Sequence, residues 1–333
     1  MLLYLILAAL SATLVRLMVR VGALDHPVER SSHTMPTPKG GGVGIVAAYV
    51  VGMIWLLHTG RAGLHPMITV PAALFLAMVS YFDDLRDWPF LAKLSAQLAA
   101  SCAVLMGGMV VTLVLLPGHG VVAIAGPLGA VLSLGWLLFV SNAVNFIDGL
   151  NGLASGSVAL AALALAAGTT GSLAVQACVL AAGIVGFLPF NYPRAKIFMG
   201  DVGSQVIGFL AADLALQAAR QPRVSFVVPL ALLPILADVA FTLLRRARRG
   251  ERLTQAHRGH LYQVANRAGM AAWQVTLVYW GMGAWGGALG LAFGAYGQGL
   301  LCAGAVIAVD LAPFAAWGAF VRWTAKRAGF TAW

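Results

Sequence analysis

Glutamate is nearly missing from this chain: two stand against nine aspartates in 333 residues. Charge of either sign is scarce, at 10% of residues, while 60% are hydrophobic and the mean hydropathy is +0.87. Soluble domains carry roughly 25% charged residues, so a water-soluble globule is excluded. No polar stretch is long enough to bury a core, so residues 1–333 are expected to form one transmembrane domain. The three cysteines, Cys102, Cys178 and Cys302, lie in apolar stretches without metal spacing. That excludes a disulfide framework, and each is expected as a small packed residue. No G-x-x-x-x-G-K-[ST] loop occurs, and no aromatic-basic module accompanies the net charge of +10. A P-loop and a nucleic-acid partner are therefore not expected.

What is present is a series of apolar runs, each long enough to cross a hydrocarbon core of roughly 30 Å. The expected fold is an all-α polytopic membrane protein with eleven spans. They lie near 2–20, 42–59, 66–82, 91–115, 126–144, 153–169, 172–190, 204–219, 224–244, 273–293 and 298–320. The weakest division is within 91–140, where only Pro117-Gly118-His119-Gly120 breaks the apolar run. The first run has no basic leader and no A-x-A-like site before Arg20, so it reads as a retained span.

Lysines and arginines orient the bundle. One set of loops holds Arg20, Arg30, Lys39, Arg86, Arg194, Lys196, the cluster 245–267, Arg322, Lys326 and Arg327. The other set keeps Arg61, Arg220 and Arg223. The positive-inside rule puts the rich face in the cytoplasm, with the N-terminus outside and the C-terminus inside.

Five of the nine aspartates fall on three polar islands at the ends of spans, and this orientation puts all three on the cytoplasmic face. Asp83 and Asp84 end span three. Adjacent carboxylates favour a cation or a shared proton between them, which poises one as a base; the pair equally fits a solvated helix end, and Asp87 reads as facing water. Asn142, Asn145 and Asp148 recur every third residue before Gly149 and Gly152. Their oxygens suit Mg²⁺ shared with substrate phosphates, or else cap a helix end. Gly200-Asp201-Val202-Gly203-Ser204 opens span eight either as a capped turn or as a metal and phosphate site. Phe198 before it stacks on a base or anchors at the interface.

Other polar residues stand apart from the islands. His257-Arg258-Gly259-His260 lies in the longest basic loop and suits a diphosphate, or sets topology and attracts anionic lipid. Arg245, Arg246, Arg248 and Arg249 are read as topology and lipid contacts. Pro36-Thr37-Pro38-Lys39-Gly40-Gly41-Gly42 is a rigid turn running into a flexible glycine run, with Lys39 able to meet phosphate. Asp238 in span nine is either a functional carboxylate or a structural partner, and Asp213 and Asp310 have no motif around them.

Taken together, these segments resemble the polyprenyl-phosphate N-acetylhexosamine-1-phosphate transferases. The resemblance runs over Asp25-His26-Pro27, Ser31-Ser32-His33, residues 36–42, Asp83-Asp84, residues 142–152, 198–204 and 257–263. His257-Arg258-Gly259-His260-Leu261-Tyr262-Gln263 is similar to the branch that initiates O-antigen. Lipid I-forming enzymes carry three consecutive histidines there and a second aspartate where Asn151 stands, and both departures argue against a muramoyl-pentapeptide substrate.

The resemblance implies Mg²⁺, or Mn²⁺ in its place, on Asp201 with Asn145 or Asp148 beside it. It implies uracil contacts from Leu150 and Asn151, stacking by Phe198, and Asn142 near the substrate. Asp83 would be base or nucleophile and Asp84 would support metal or lipid phosphate. Lys39, Lys93, His257, Arg258 and His260 would hold phosphates. The implied reaction moves a HexNAc-1-phosphate, from an N-acetyl-6-deoxyhexosamine or GlcNAc nucleotide, onto undecaprenyl phosphate in the bacterial inner membrane, with the site on the cytoplasmic face. The chain would act as a monomer or a homodimer. The rivals are a transporter, which places carboxylates near the midplane in repeated halves, and a CDP-alcohol enzyme, whose D-G-x-x-A-R pattern is absent.

Overall fold

The computed structural model describes every residue except 26–34, 87, 117–119, 253–254, 256, 297–302 and 331–333. Asp87, Cys302, His26-Pro27 and Ser31-Ser32-His33 lie outside the described residues.

The chain is helical nearly throughout, as a backbone in hydrocarbon must be when it bonds within its own segment. Its helices are α1 (Leu2–Val21), α2 (Gly42–His58), α3 (Pro66–Arg86), α4 (Phe90–Met106), α5 (Gly126–Ile147), α6 (Leu153–Gly168), α7 (Gly171–Asn191), α8 (Asp201–Ala218), α9 (Val227–Arg248), α10 (Leu261–Arg267), α11 (Ala272–Tyr296) and α12 (Ala303–Arg327). Six of them, α1, α3, α5, α7, α9 and α12, are long and apolar enough to cross a membrane; α2, α4 and α6 are shorter and apolar. The protein is thus a polytopic helical membrane protein.

Two expectations need correction. The apolar run 91–115 is not one helix. α4 ends at Met106, and Gly108 follows at φ 85°. Beyond the glycines the β-branched run Val110-Val111-Thr112 leads into β3 (Leu113–Leu116), which pairs antiparallel with β4 (Gly120–Ala123). β-Branched residues lose rotamer freedom in a helix and fit a pleat instead. A second small pair, β1 (Leu24–Asp25) with β2 (Thr37–Pro38), precedes α2. The fold is therefore helical with two short antiparallel pairs rather than purely α. Helix α10 was also not anticipated; it is a short helix of about two turns after the basic loop.

α8 is the axis of the bundle. Nearly all its residues from Val202 to Ala218 are buried, as for a helix surrounded by others, and its polar side chains Ser204, Gln205 and Asp213 find partners inside the bundle. α2, α3, α5, α6, α7 and α9 touch it, α1 packs outside α2 and α7, and α11 packs outside α6 and α9. Side-chain bonds to backbone tie neighbours together: Ser11 Oγ to Gly183 O at 2.7 Å, Ser141 Oγ to Gln205 O at 2.9 Å, and Trp136 Nε1 to Ala212 O at 3.1 Å. Each contributes about 0.6 to 2 kcal/mol between membrane helices.

Asp213, unassigned from sequence, finds its partner in His65, just before α3. His65 Nε2 lies 2.8 and 3.0 Å from the two carboxylate oxygens, and Gln217 donates to Oδ2 at 2.9 Å. This buried cluster sits at the opposite end of α3 from Asp83 and Asp84.

Candidate active site

A cavity of about 750 Å³ opens at the end of the bundle where α3 and α5 finish and α2 and α8 begin. That volume is in the range of small-molecule sites. Its wall carries Lys39, Asp84, Asn145, Asp148, Leu150, Asn151, Phe198, Asp201 and His257, nine of the residues singled out from sequence. Residues far apart in the chain meet here because two loops are zipped together. Phe198 N–H donates to Pro38 O at 2.8 Å, Gly41 N–H to Phe198 O at 2.9 Å, and Gly42 N–H to Met199 O at 2.8 Å. The start of α2 then lies on the start of α8, backbone against backbone: a Cβ on Gly42 would come within 2.2 Å of Gly203 Cα.

Asp201 is the first residue of α8. Its Oδ1 accepts from Asn145 Nδ2 at 2.9 Å and its Oδ2 from Lys93 Nζ at 3.2 Å. Asp84 faces the same helix start, with Val202 N–H donating to its Oδ2 at 3.2 Å and Lys39 Nζ 3.6 Å from Oδ1. A carboxylate there is favoured by the partial positive charge of a helix N-terminus. Gly200 makes the approach feasible. Its φ is 74°, and a Cβ would stand 2.7 Å from Asp84 Oδ2, so both the backbone conformation and the space require glycine.

Asp148 follows the last residue of α5. Burial, then the charges of Asp201 and Asp84, push its carboxyl well above the usual carboxylate range. Three mutually repelling carboxylates on one wall are what a divalent cation relieves. Among the described residues no group of three His, Cys, Asp or Glu side chains forms a complete cage. Mg²⁺ does not need one, since it usually takes one or two carboxylates and keeps waters or phosphates. The donor set therefore fits a hard divalent cation. Asn145 fits less directly: it turns its Nδ2 toward Asp201 and Ser204 Oγ, as a support for the carboxylate rather than a ligand.

Five singled-out residues are not on the cavity wall. Asp83, expected as the base, is 4% exposed and turned away from it. Asp83 accepts from Trp88 N–H at 2.7 Å and pairs with Lys93 at 2.5 Å. Successive helical residues point about 100° apart, from 3.6 residues per turn, so only one of Asp83 and Asp84 can face the cavity. Lys93 stands behind the wall as a bridge between Asp83 and Asp201. Asn142 turns to Gln97, donating to its Oε1 at 2.6 Å. Gln97 in turn donates to Gln205 Oε1 at 3.0 Å, so Asn142 braces the wall from outside. His260 is 3% exposed, stacked between His257 and Tyr262. Arg258 is partly buried in the same loop, off the wall.

Two arginines in the last turn of α9 find partners within the protein. Arg246 is 5% exposed and donates to Gln255 O at 3.1 Å and Arg252 O at 2.7 Å. Arg245 donates to Gly259 O at 2.8 Å. Both hold the basic loop.

Sequence reasoning missed Asn191, whose Oδ1 accepts Gly152 N–H at 2.6 Å and whose Nδ2 donates to Ile197 O at 2.9 Å. It fixes the two loops that carry Asn151 and Phe198. An amide at the last position of an apolar helix was the available signal. Arg194 and Gln263 on the wall were likewise passed over.

Residues 66–219 match glycosyl transferase family 4. The decaprenyl-phosphate N-acetylglucosaminephosphotransferase of Mycolicibacterium smegmatis is 31% identical over 282 residues, 74% of this chain and 69% of that protein. A probable undecaprenyl-phosphate N-acetylglucosaminyl 1-phosphate transferase of Bacillus subtilis is 27% identical over 80% of this chain and 76% of its own length. The phospho-N-acetylmuramoyl-pentapeptide-transferase of Limosilactobacillus fermentum is 34% identical over 47% of this chain and 50% of its own. The family match spans the helices that bring Asp84, Asp148 and Asp201 together. With likeness to the mycobacterial protein over most of both chains, it makes this chain a member of the polyprenyl-phosphate N-acetylhexosamine-1-phosphate transferases.

Proposed function

We propose that the chain transfers a HexNAc-1-phosphate from a UDP-sugar to undecaprenyl phosphate and releases UMP, as the first membrane step of a cell-envelope polysaccharide such as O-antigen. The observation that carries this is the cavity wall itself: Asp84, Asp148 and Asp201 from three elements, with Lys39, Leu150, Asn151 and Phe198 on the same wall. Phosphoryl transfer needs positioning and charge compensation more than covalent help, and this wall supplies both.

Phe198 stacks on the uracil and Asn151, its Nδ2 already tied to Pro193 O at 3.2 Å, borders the base. Lys39 and His257 face the diphosphate. Asp201 with Asp84 and Asp148 across from it would hold Mg²⁺, which when bound offsets phosphate charge and polarises the diphosphate. One oxygen of the lipid phosphate forms a bond to the β-phosphorus as the β-phosphorus–oxygen bond to the α-phosphate breaks, and the electron pair leaves with UMP. A phosphate monoester with a second pKa of about 6 is largely ionised at neutral pH. Asp84 therefore orients the lipid phosphate beside Lys39 and takes up any remaining proton; its place on the wall favours it over Asp83. A nucleotide sugar is polyanionic and a prenyl chain is insoluble in water, so a site at the end of the bundle serves both. The lysine and arginine asymmetry supports the cytoplasmic face of a bacterial inner membrane, with eleven spans.

GlcNAc or an N-acetyl-6-deoxyhexosamine is favoured over a muramoyl-pentapeptide. What supports this is the motif: residues 257–263 lack the three consecutive histidines of the lipid I-forming enzymes, and Asn151 stands where those carry a second aspartate. Purified protein with undecaprenyl phosphate, Mg²⁺ and a panel of UDP-sugars tests this. UMP is expected only when lipid and metal are both present; no UMP from any UDP-HexNAc would sink the reading.

A further inference from the structure

Asp238 is the most completely enclosed charged residue described, at 0% exposure, and it is not on the cavity wall. Its carboxylate gathers donors from three elements. On Oδ1, Leu261 N–H donates at 2.8 Å and Thr242 Oγ1 at 3.2 Å. On Oδ2, Tyr279 Oη donates at 2.6 Å and Tyr262 N–H at 3.2 Å. His260 Nδ1 lies 3.5 Å from Oδ1. A buried carboxylate with this many donors is satisfied, and removing it would strand two backbone N–H groups that have no water to turn to.

Two of those donors, Leu261 and Tyr262, belong to the segment that forms one wall of the site. His257 and Gln263 reach the cavity, and His260 lies between His257 and Asp238, its ring centroid 4.9 Å from that of His257. Tyr262 carries the restraint further: its Oη donates to Phe146 O at 3.0 Å, two residues before Asp148. Arg245 and Arg246, about one turn along from Thr242, hold the carbonyls of the same loop. α9 thus grips the loop with one anion at the start of α10 and two cations before it.

We propose that Asp238 is a positioning residue that sets the His257–Gln263 segment against the phosphate end of the cavity, acting through Leu261, Tyr262 and His260. This rests on the transferase reading for which ligand group the segment meets. The base end of the cavity is held separately, by Asn191, by Thr276 Oγ1 donating to Asn151 O at 3.0 Å, and by Trp280 Nε1 donating to Gly152 O at 3.1 Å. The two ends can therefore be told apart by ligand.

Asp238→Asn is nearly isosteric, yet an amide offers one acceptor oxygen and must turn its NH₂ toward a backbone N–H on the other side. Binding of UDP-GlcNAc and of UMP to purified wild type and variant separates the ends. The expected result is about tenfold weaker UDP-GlcNAc binding, or about 1.4 kcal/mol, with UMP affinity held within about threefold. Hydrogen exchange should quicken at residues 257–263 and stay unchanged at 191–198. Tyr279→Phe, which removes one donor to Oδ2, should move both readouts the same way by less, and it decides the matter where Asp238→Asn does not fold. Equal losses for both nucleotides, or unchanged exchange at 257–263, overturn the proposal. A wild type that binds neither nucleotide overturns the transferase reading instead, while exchange still decides the positioning.

Discussion

Replacing Gly42 by alanine adds one methyl group at the contact that brings Lys39 to Asp84. The new Cβ would stand 2.2 Å from Gly203 Cα, 2.4 Å from Gly203 N and 3.0 Å from Met199 O. All three are backbone atoms of another segment, so no rotamer change relieves them. The start of α2 must retreat from α8 by roughly 1 to 1.5 Å to restore ordinary contact. Overpacking of this kind costs about 1–3 kcal/mol. The retreat also stretches the bonds from Gly41 to Phe198 and from Gly42 to Met199, at about 1 kcal/mol each. The total is about 3–5 kcal/mol. Activity should fall further than stability, since a displacement of about 1 Å can cost on the order of 100-fold. Gly135→Ala is the control: nothing lies within 4 Å of its Cβ, and alanine raises helix propensity by up to about 1 kcal/mol. Thermal unfolding in detergent and UMP release from UDP-GlcNAc measure both. A Gly42→Ala protein with a melting point within about 2 °C of wild type and activity within about threefold would refute the reasoning.

Three further outcomes are expected. Lys93→Met leaves Asp83 buried without its cation; with Lys93 29% exposed, the cost is about 2 kcal/mol after screening. Turnover should drop while half-saturation by Mg²⁺ moves to lower concentration, and a raised Mg²⁺ requirement would contradict the bridging role. Asp148, its carboxyl raised by burial and then by Asp201 and Asp84, holds its proton more tightly folded than unfolded. Its contribution is full below the ordinary carboxylate pKa of about 3.9 and is lost as pH rises through the higher folded value. Without divalent cation the protein should therefore melt lower at neutral pH than near pH 5, and Asp148→Asn should flatten that dependence; an unchanged pH profile in the variant counts against it. Asp213→Ala breaks the buried pair with His65 and should cost about 3–5 kcal/mol. The double variant with His65→Ala should lose less than the sum of the two, and UMP release should change by less than about threefold; strict additivity would argue that the two residues act separately.

The polar islands were legible because carboxylates and amides are costly in an apolar chain, so each one found at a span end carried information. Asp84, Asp148, Asp201, Lys39 and Phe198 were all visible in this way and share one cavity. Asp83 and Asp84 were not separable, because adjacent residues differ only in which way the helix turns them. Asn191 and Arg246 were passed over or read as surface groups, because their partners are loop carbonyls and amides, which no side-chain pattern announces. The run 91–115 misled because hydropathy counts apolar residues without regard to the glycines and β-branched side chains that end α4.

The run of apolar residues along the chain determined a polytopic helical membrane protein and the rough place of most of its helices. Those follow from transfer free energies, which add along the chain. Tertiary structure decided which aspartate meets the cavity, that Lys93 bridges two of them, and that Asp238 grips a loop more than twenty residues away in sequence. Those depend on which faces of α3, α8 and α9 are pressed together, and on glycine contacts of a few ångströms between α2 and α8 that no local pattern encodes.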